Sequence, residues 1–561
     1  MTNKKDEKTQ AEPRVGVFIC DCGSNIAGHI DCPAITEYAA TLPGVAFAKE
    51  NLYSCSEGGI AEIKKAIKEN DLERVVVASC SPRTHQPLFS SSCGEAGLNP
   101  YLFEMVNIRD QCSWVHMQDR EKGTQKAKDL VRMGVAKSKN LEPQEDIESS
   151  LVDRVLVIGG GVAGLSAAQT MSGMGLEVIL VEKKQELGGN LRYLNQLAPG
   201  EQSAAEYIDS LVESVQGDPG ITVHLGAEVQ TVDGYIGNYQ VGLKTADGLS
   251  LEEKVGCLVV AIGGVPLTPH GLYSYDRETV ISQMELEDKL RNQTFQAGKT
   301  VMIQCVGARD EQRAYCSRIC CLTAVKNAML IKKRDPEAEV HILYRDMQMY
   351  GTEKEQMLWD ARAMGINFHV YDPADKPVVK QGQVTFYHSL LGKEITLDAE
   401  QVVLSTPLVA GEDAQRISQM MRVPMDQNKF FLEAHAKLRP LDFSADGIFV
   451  CGSARYPATV DEARSQGTGV ASRVGTILFK DRLISSAIVA AVDPESCVGC
   501  MGCIDVCPYQ AISFDPEKKV CVINNILCKG CGSCAATCPS ESVQLRGYKP
   551  KQLLAQIRAA A

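Results

Sequence analysis

Eight cysteines near the C-terminal end of this 561-residue sequence have the spacing that holds iron. Cys497, Cys500, Cys503 and Cys507 form a Cys-x-x-Cys-x-x-Cys-x-x-x-Cys run followed by Pro508. Cys528, Cys531, Cys534 and Cys538 repeat it, followed by Pro539. Thiolates at this spacing ligate [4Fe-4S] clusters, and where two runs occur together the fourth cysteine of each serves the other cluster. Cys497, Cys500, Cys503 and Cys538 are therefore expected to hold one cluster, and Cys528, Cys531, Cys534 and Cys507 the second. Cys521 lies off the pattern and is read as core.

A second chemical signature lies in VLVIGGGVAGLSAAQTMSGMGLEVILVE, residues 155–182. Val155 to Ile158 is an unbroken apolar run, as a parallel strand buried on both faces requires. Gly159, Gly161 and Gly164 follow as G-x-G-x-x-G: the first for a sharp turn, the second for close approach to a pyrophosphate, the third for tight helix–strand packing. The helix N-terminus presents free N–H groups to phosphate. The strand Val178 to Val181 ends at Glu182, placed to accept from a ribose hydroxyl, with Lys183 beside it. A glycine-rich turn in a purely structural unit is the bland alternative.

The elements that must complete such a site can be traced onward. Gly189 and Asn190 lie in a Gly-Gly loop of the kind that wraps a dinucleotide. The apolar run from Cys257 ends in the pair Gly263 and Gly264, where the chain leaves the first nucleotide domain. It returns at Gly447 to Gly452 and a helix from about Val460 to Leu478. Ser453 and Ala454 stand where an acidic ribityl ligand is usual.

A second nucleotide-binding half is expected between these segments. Its strand (Lys299 to Gln304), helix (about Leu322 to Lys333) and next strand (Val340 to Tyr344) are legible, but the glycine fingerprint is not. Cys305, Cys316, Cys320 and Cys321 stand in its place. Nothing there restores a backbone phosphate cradle, so no NAD(P)H site is expected. A [4Fe-4S] cluster, zinc or a redox thiol pair remain as readings; adjacent Cys320 and Cys321 are unusual for zinc.

Residues 14 to about 140 read as a compact α/β unit, with strands Val15 to Ile19 and Arg74 to Ala78 and a helix from Ala61 to Glu69. Cys20, Cys22, Cys55 and Cys80 sit on loops at strand ends, the rim where α/β sheets hold ligands. They could bind one further cluster or be ordinary buried or catalytic thiols; Cys32, Cys93 and Cys112 read as packing residues. Residues 138–153, polar and carrying Pro143, read as a linker.

With 44% apolar and 23% charged residues the composition is that of a globular protein. A net charge of -12 argues against nucleic acid or an anionic membrane as partner. No apolar run is long enough to span a membrane. The N-terminal MTNKKDEKTQAEP lacks an apolar core, so it is read as a short mobile tail and not a signal peptide. Twenty-two cysteines without a secretory signal point to metal ligands in a reducing, cytoplasmic setting.

The whole chain resembles the A-type component of heterodisulfide reductase, the flavin-bearing iron–sulfur subunit of methanogens and many anaerobic bacteria. The resemblance rests on Cys20-Asp-Cys22-Gly-Ser-Asn-Ile, Cys80-Ser-Pro, Val106-Asn-Ile-Arg-Asp-Gln-Cys-Ser-Trp-Val-His116, the glycine fingerprint, Cys305-Val-Gly with Tyr315-Cys-Ser-Arg-Ile-Cys-Cys321, and the paired cysteine runs. It implies FAD at Gly159 to Glu182, a cluster at Cys305 to Cys321, and Lys326 near the flavin, where its charge would help set flavin potentials. It further implies a larger assembly: heterodisulfide-reductase-like B-type and C-type subunits or hydrogenase-linked subunits, ferredoxin as an exchange partner, and a homodimer. Methanogen members carry an inserted ferredoxin module; residues 193–256 contain no cysteine, so that module is absent here.

The resulting expectation is an α/β protein with a thioredoxin-reductase-like, two-dinucleotide-binding core. Residues 1–140 form an N-terminal α/β domain, 151–298 and 441–485 the flavin domain, 299–440 the degenerate nucleotide-like part, and 490–547 an α+β ferredoxin domain. The function expected is electron transfer between FAD and clusters, with bifurcation or confurcation as the finer form. The rivals are a stand-alone NAD(P)H:acceptor oxidoreductase of the glutamate synthase small subunit type, a non-enzymatic cluster scaffold, and a thioredoxin-reductase-type dithiol enzyme. The last lacks a Cys-x-x-Cys in its nucleotide domain.

Overall fold

The computed structural model describes residues 12–296 and 298–561. Most of the polar N-terminal segment read as a mobile tail therefore lies outside the described residues. One compact unit takes the chain up to Glu148 together with Ile484–Ala561; the other is Ser149–Leu483.

In the second unit, apolar strands alternate with helices, and the strands stack in parallel. The central sheet runs Ile448–Val450, Cys257–Val260, Arg154–Ile158, Glu177–Glu182, Ile221–Leu225, all parallel. Its strands carry no polar face because both faces are covered. Val155 and Val157 enter one core with the helix Val162–Gly173, while Leu156 and Ile158 enter another against an antiparallel meander. Truncating such a fully buried side chain costs about 2–5 kcal/mol. The helix Val460–Leu478, which opens with a Thr459/Glu462 capping box, packs against Val162–Gly173.

A second parallel sheet is ordered Val280–Ser282, Gln401–Leu404, Thr300–Ile303, Val340–Tyr344, Asn367–Val370. It includes Val280–Ser282, so this half starts before residue 299, where the sequence placed the boundary. Three residues are too few to show a period. Gly264–Pro266 pairs antiparallel with Leu408–Ala410 where the chain passes between the halves.

In the first unit a parallel sheet is ordered Val45–Asn51, Val15–Cys20, Arg74–Ser79, Phe103–Asn107. The ferredoxin-like segment belongs to this same unit and is made of two antiparallel strand pairs and short helices. Its final helix, Pro550–Ala560, packs along Arg120–Ser138. Arg132 Nε donates to the Ala559 carbonyl at 2.5 Å, Gln552 Nε2 to the Asn140 carbonyl at 2.9 Å, and Lys549 pairs with Glu142 at 2.6 Å. Reading 1–140 and 490–547 as separate domains missed this, because such contacts leave no local pattern.

No helix among the described residues is long and apolar enough to cross a membrane.

Candidate flavin and iron–sulfur sites

The glycine turn opens onto a cavity of about 310 Å³, within the range of small-molecule sites. The glycines divide the work as the spacing predicts. Gly159 has φ +109°, and a Cβ there would meet the Ala261 carbonyl oxygen at 2.4 Å. A Cβ on Gly164 would sit 1.9 Å from the Gly159 carbonyl oxygen, so only glycine lets the helix approach. Gly161 lines the cavity, and a Cβ there would meet nothing within 4 Å. That open cradle above a helix N-terminus fits a dinucleotide phosphate.

Glu182, almost fully buried, accepts from Gly160 N at 2.7 Å and Lys184 N at 2.9 Å. Two acceptor directions per carboxylate oxygen leave capacity for a ribose hydroxyl. Lys183 lines the cavity and pairs with Asp413 at 2.6 Å. Gly189, Asn190, Gly263 and Lys326 also line it, and Asn190 Nδ2 donates to the Gly264 carbonyl at 2.9 Å. Gly452 is a correction. It does not line the cavity; its N–H goes to Gln466 Oε1 at 3.0 Å, and a Cβ would press on Ala163 at 2.7 Å. Ser453 takes the lining position.

The structure adds partners that the sequence did not single out. Lys326 Nζ pairs with Glu287 and donates to the Gln196 carbonyl at 3.0 Å. Burial lowers the lysine's pKa, and the Glu287 charge opposes that. Asp413 and Arg416 also reach the cavity. No sequence spacing links Glu287 to Lys326; only packing does.

The strand Thr300–Ile303 runs into an irregular loop, 304–319, before the helix Cys320–Arg334 begins. Cys305, Arg309 and Arg318 are in the left-handed region at φ +60°, +55° and +65°, each costing about 1–3 kcal/mol unless held by its surroundings. Arg309 is held by a two-pronged pair with Asp346 at 2.9 and 2.8 Å, and the Leu408 N–H donates to Ser317 Oγ at 3.0 Å. The loop gathers its four thiols: burial raises the Cys305, Cys320 and Cys321 pKa values, Cys321 to about 12, and neighbouring thiols raise them further. The Arg318 N–H donates to Cys316 Sγ at 3.3 Å. Thiols near enough to repel one another, with an amide donor beside Cys316, are the residue types a cluster's charged thiolates need. Ile319, Leu322, Thr323 and Lys326 then line the cavity, so the end of the cysteine loop adjoins the glycine-loop cavity.

The N-terminal cysteines also lie near enough to influence one another's charge. Burial raises Cys20, Cys22 and Cys80, and charge repulsion among these thiols and Cys55 raises them further. The Ser54 N–H donates to Cys20 Sγ at 3.4 Å, and the Arg109 charge acts the other way on Cys22 and Cys80. Cys32, Cys93 and Cys112 are wholly buried in the cores.

In the ferredoxin-like segment one small cavity is lined by Cys528, Cys531 and Cys534 together with Cys507. This is the crossed grouping that the two runs imply. The Ala490 N–H donates to Cys528 Sγ at 3.4 Å and the Ala511 N–H to Cys507 Sγ at 3.3 Å. Burial acts to raise Cys538, but contacts with Ser542 and Ser540 hold it at about 7. Cys497, Cys503 and Cys538 pack in the same core, with Cys500 exposed, and Cys521 is buried beside Cys503.

Comparison with known proteins agrees with this geometry. The Pyridine nucleotide-disulphide oxidoreductase family matches residues 153–467, and the 4Fe-4S dicluster domain matches 496–542. These imply FAD in the first and [4Fe-4S] clusters in the second. Thioredoxin reductase of T. acidophilum superposes with a TM-score of 0.42 at 14% identity, covering 59% of this chain and 100% of that one. The A-type component of the H(2):CoB-CoM heterodisulfide,ferredoxin reductase of Methanothermobacter thermautotrophicus is 36% identical over 657 aligned positions, covering 100% of this chain and 99% of that one. That length exceeds the 561 residues here, so the relative carries segments with no counterpart in this chain. The second A-type iron-sulfur component of CoB--CoM heterodisulfide reductase in Methanopyrus kandleri is 36% identical over 601 positions, covering 90% and 91%. Its counterpart in Methanocaldococcus jannaschii is 35% identical, covering 97% and 98%. The chain is an α/β oxidoreductase with a pyridine nucleotide-disulphide oxidoreductase core, and it belongs to the family of heterodisulfide reductase A-type iron–sulfur flavoproteins.

Proposed function

We propose that this chain is the electron-transferring flavoprotein subunit of a heterodisulfide-reductase-like complex. The observation that carries the reading is the adjacency of two sites on one helix. Cys320 and Cys321 open the helix Cys320–Arg334, and Leu322, Thr323 and Lys326 of its first two turns line the glycine-loop cavity. Bound FAD exchanges electrons in pairs or singly, and [4Fe-4S] clusters exchange them singly.

The chain's own residues do the rest. The glycine loop and Glu182 hold the dinucleotide, while Lys183, Gly189, Asn190 and Gly263 line its cavity. Lys326 places a buried cation and a proton donor at the cavity wall. Cys305, Cys316, Cys320 and Cys321 hold one cluster; Cys20, Cys22, Cys55 and Cys80 hold another; the paired runs hold two. Partners are subunits of the B and C type or hydrogenase-linked subunits, with ferredoxin exchanging at the C-terminal clusters and a homodimer as the core. Splitting electron pairs between high- and low-potential routes is the finer form of this reading. Relatives named for both heterodisulfide and ferredoxin support it.

Iron, sulfide and flavin analysis of anaerobically purified protein tests the assignment. About sixteen irons per flavin are expected at four irons per cluster. About twelve would remove one of the two additional sites, and about eight would remove both.

A further inference from the structure

Arg318 links the cysteine loop to the helix cap behind the flavin-cavity wall. Its backbone N–H donates to Cys316 Sγ at 3.3 Å. Its guanidinium pairs with Glu462 and donates to the Tyr350 hydroxyl at 2.5 Å, and that hydroxyl donates to Glu462 at 3.0 Å. Glu462 is the N3 residue of the Val460–Leu478 helix, and its other carboxylate oxygen accepts from Thr459 N at 3.0 Å, closing the capping box. Thr459, Val460 and Ala463, the first turn of that helix, line the flavin cavity. The guanidinium also lies over the Tyr456 ring at 5.1 Å. The Tyr456 hydroxyl accepts from Gln466 Nε2 at 3.1 Å, and Gln466 in turn holds Gly452 N.

We propose that Arg318 is a positioning residue that fixes the cysteine loop against the helix cap forming the flavin-cavity wall, coupling flavin retention to the geometry at Cys316. Three features support this. The side chain is about one-third exposed and its partner 27%, so the pair is less screened than a surface one. The guanidinium serves Glu462 and Tyr350 through Nη2 while it lies over the Tyr456 ring, a stacking that an ammonium does not reproduce. And a non-glycine residue is held at φ +65°, as expected where the side chain is needed despite an unfavourable backbone. The inference rests on the proposed flavin and cluster sites.

The test uses full-length, anaerobically purified protein as wild type, Arg318→Ala, Arg318→Lys and Tyr350→Phe. Three quantities are read: FAD dissociation, flavin midpoint potential, and the EPR spectrum of the reduced clusters. Losing a charge-assisted hydrogen-bond pair is expected to weaken FAD retention about tenfold in Arg318→Ala. The flavin potential falls, because a nearby positive charge is gone, and one EPR component changes shape. Arg318→Lys keeps the charge and restores the potential but only part of the retention. Wild-type retention, potential and spectrum in Arg318→Ala overturn the proposal. So does a variant that only melts earlier with all three readouts unmoved. If Arg318→Ala does not fold, Tyr350→Phe should show the same changes at smaller size, and an unchanged Tyr350→Phe overturns the proposal. If iron analysis finds no cluster at this loop, that failure belongs to the cluster assignment. The bridge is then judged by FAD retention and by Cys316 alkylation rate, which should rise in Arg318→Ala.

Discussion

Lys326 and Glu287 form an ion pair inside the cavity wall, the lysine side chain 5% exposed and the carboxylate 0%. Glu287 also accepts from Asn195 N at 2.8 Å, and the lysine donates to the Gln196 carbonyl. The loop that follows the Gly-Gly turn is thereby tied to the helix carrying the cysteines. Removing one partner of such a pair leaves an uncompensated buried charge, at a cost of about 3–5 kcal/mol. Glu287→Gln and Lys326→Met should each lower the melting temperature of the holoprotein clearly, and the double variant should melt above either single one. A double variant as unstable as the sum of the singles would mean the pair is not the source of the loss.

The glycine roles predict a contrast. Gly161 has an extended backbone and open space where a Cβ would go, so Gly161→Ala should fold normally and lose bound flavin. Gly164→Ala drives a methyl into a carbonyl and should damage folding itself. Flavin-to-protein ratios and melting curves separate the two; loss of stability without loss of flavin in Gly161→Ala would contradict the cradle.

The cavity that groups Cys507 with Cys528, Cys531 and Cys534 predicts which irons go together. Cys507→Ala and Cys531→Ala should disturb the same EPR signal, and Cys503→Ala the other. If Cys507→Ala instead perturbs the signal lost in Cys503→Ala, the crossed ligation is wrong.

The 304–319 loop carries thiols and strained residues where a nucleotide cradle would be. NADPH mixed with the purified chain should leave the flavin absorbance unchanged on the seconds timescale. Rapid bleaching would restore the stand-alone NAD(P)H oxidoreductase reading.

His341, His369 and His388 cluster beside the second sheet, with His341 Nδ1 2.9 Å from His369 Nε2. Burial, then repulsion from the other two rings, lowers His369 to about 4. The unfolded chain therefore binds a proton near pH 6.5 that the folded chain refuses until about 4. Stability tied to this group is full above about pH 6.5 and is lost as pH falls toward 4. The urea midpoint should drop through that window, less steeply in His369→Gln; identical slopes would show that other groups govern acid sensitivity.

The residues whose chemistry depends on near neighbours in the chain were legible without coordinates. The glycine triplet with its flanking apolar runs, the two four-cysteine runs and the displaced fingerprint at Cys305 are short-range patterns. Turn geometry and the first three ligands of each ferredoxin-type cluster act over a few residues, so they must be written into consecutive sequence. Strands such as Val340–Tyr344 and the helix Val460–Leu478 were bounded correctly for the same reason: a hydrophobic run or period is local.

What only the folded chain decided is contact between distant segments. Glu287 meets Lys326 across 39 residues and Arg318 meets Glu462 across 144. The ferredoxin-like segment joins the N-terminal sheet through helices more than 400 residues apart in sequence. Cys20, Cys22, Cys55 and Cys80 follow no ligand spacing, yet parallel strands bring them to one rim. Burial pairs these groups: a charge or thiol excluded from water must find its partner wherever the fold places one, and chain spacing carries no record of that choice.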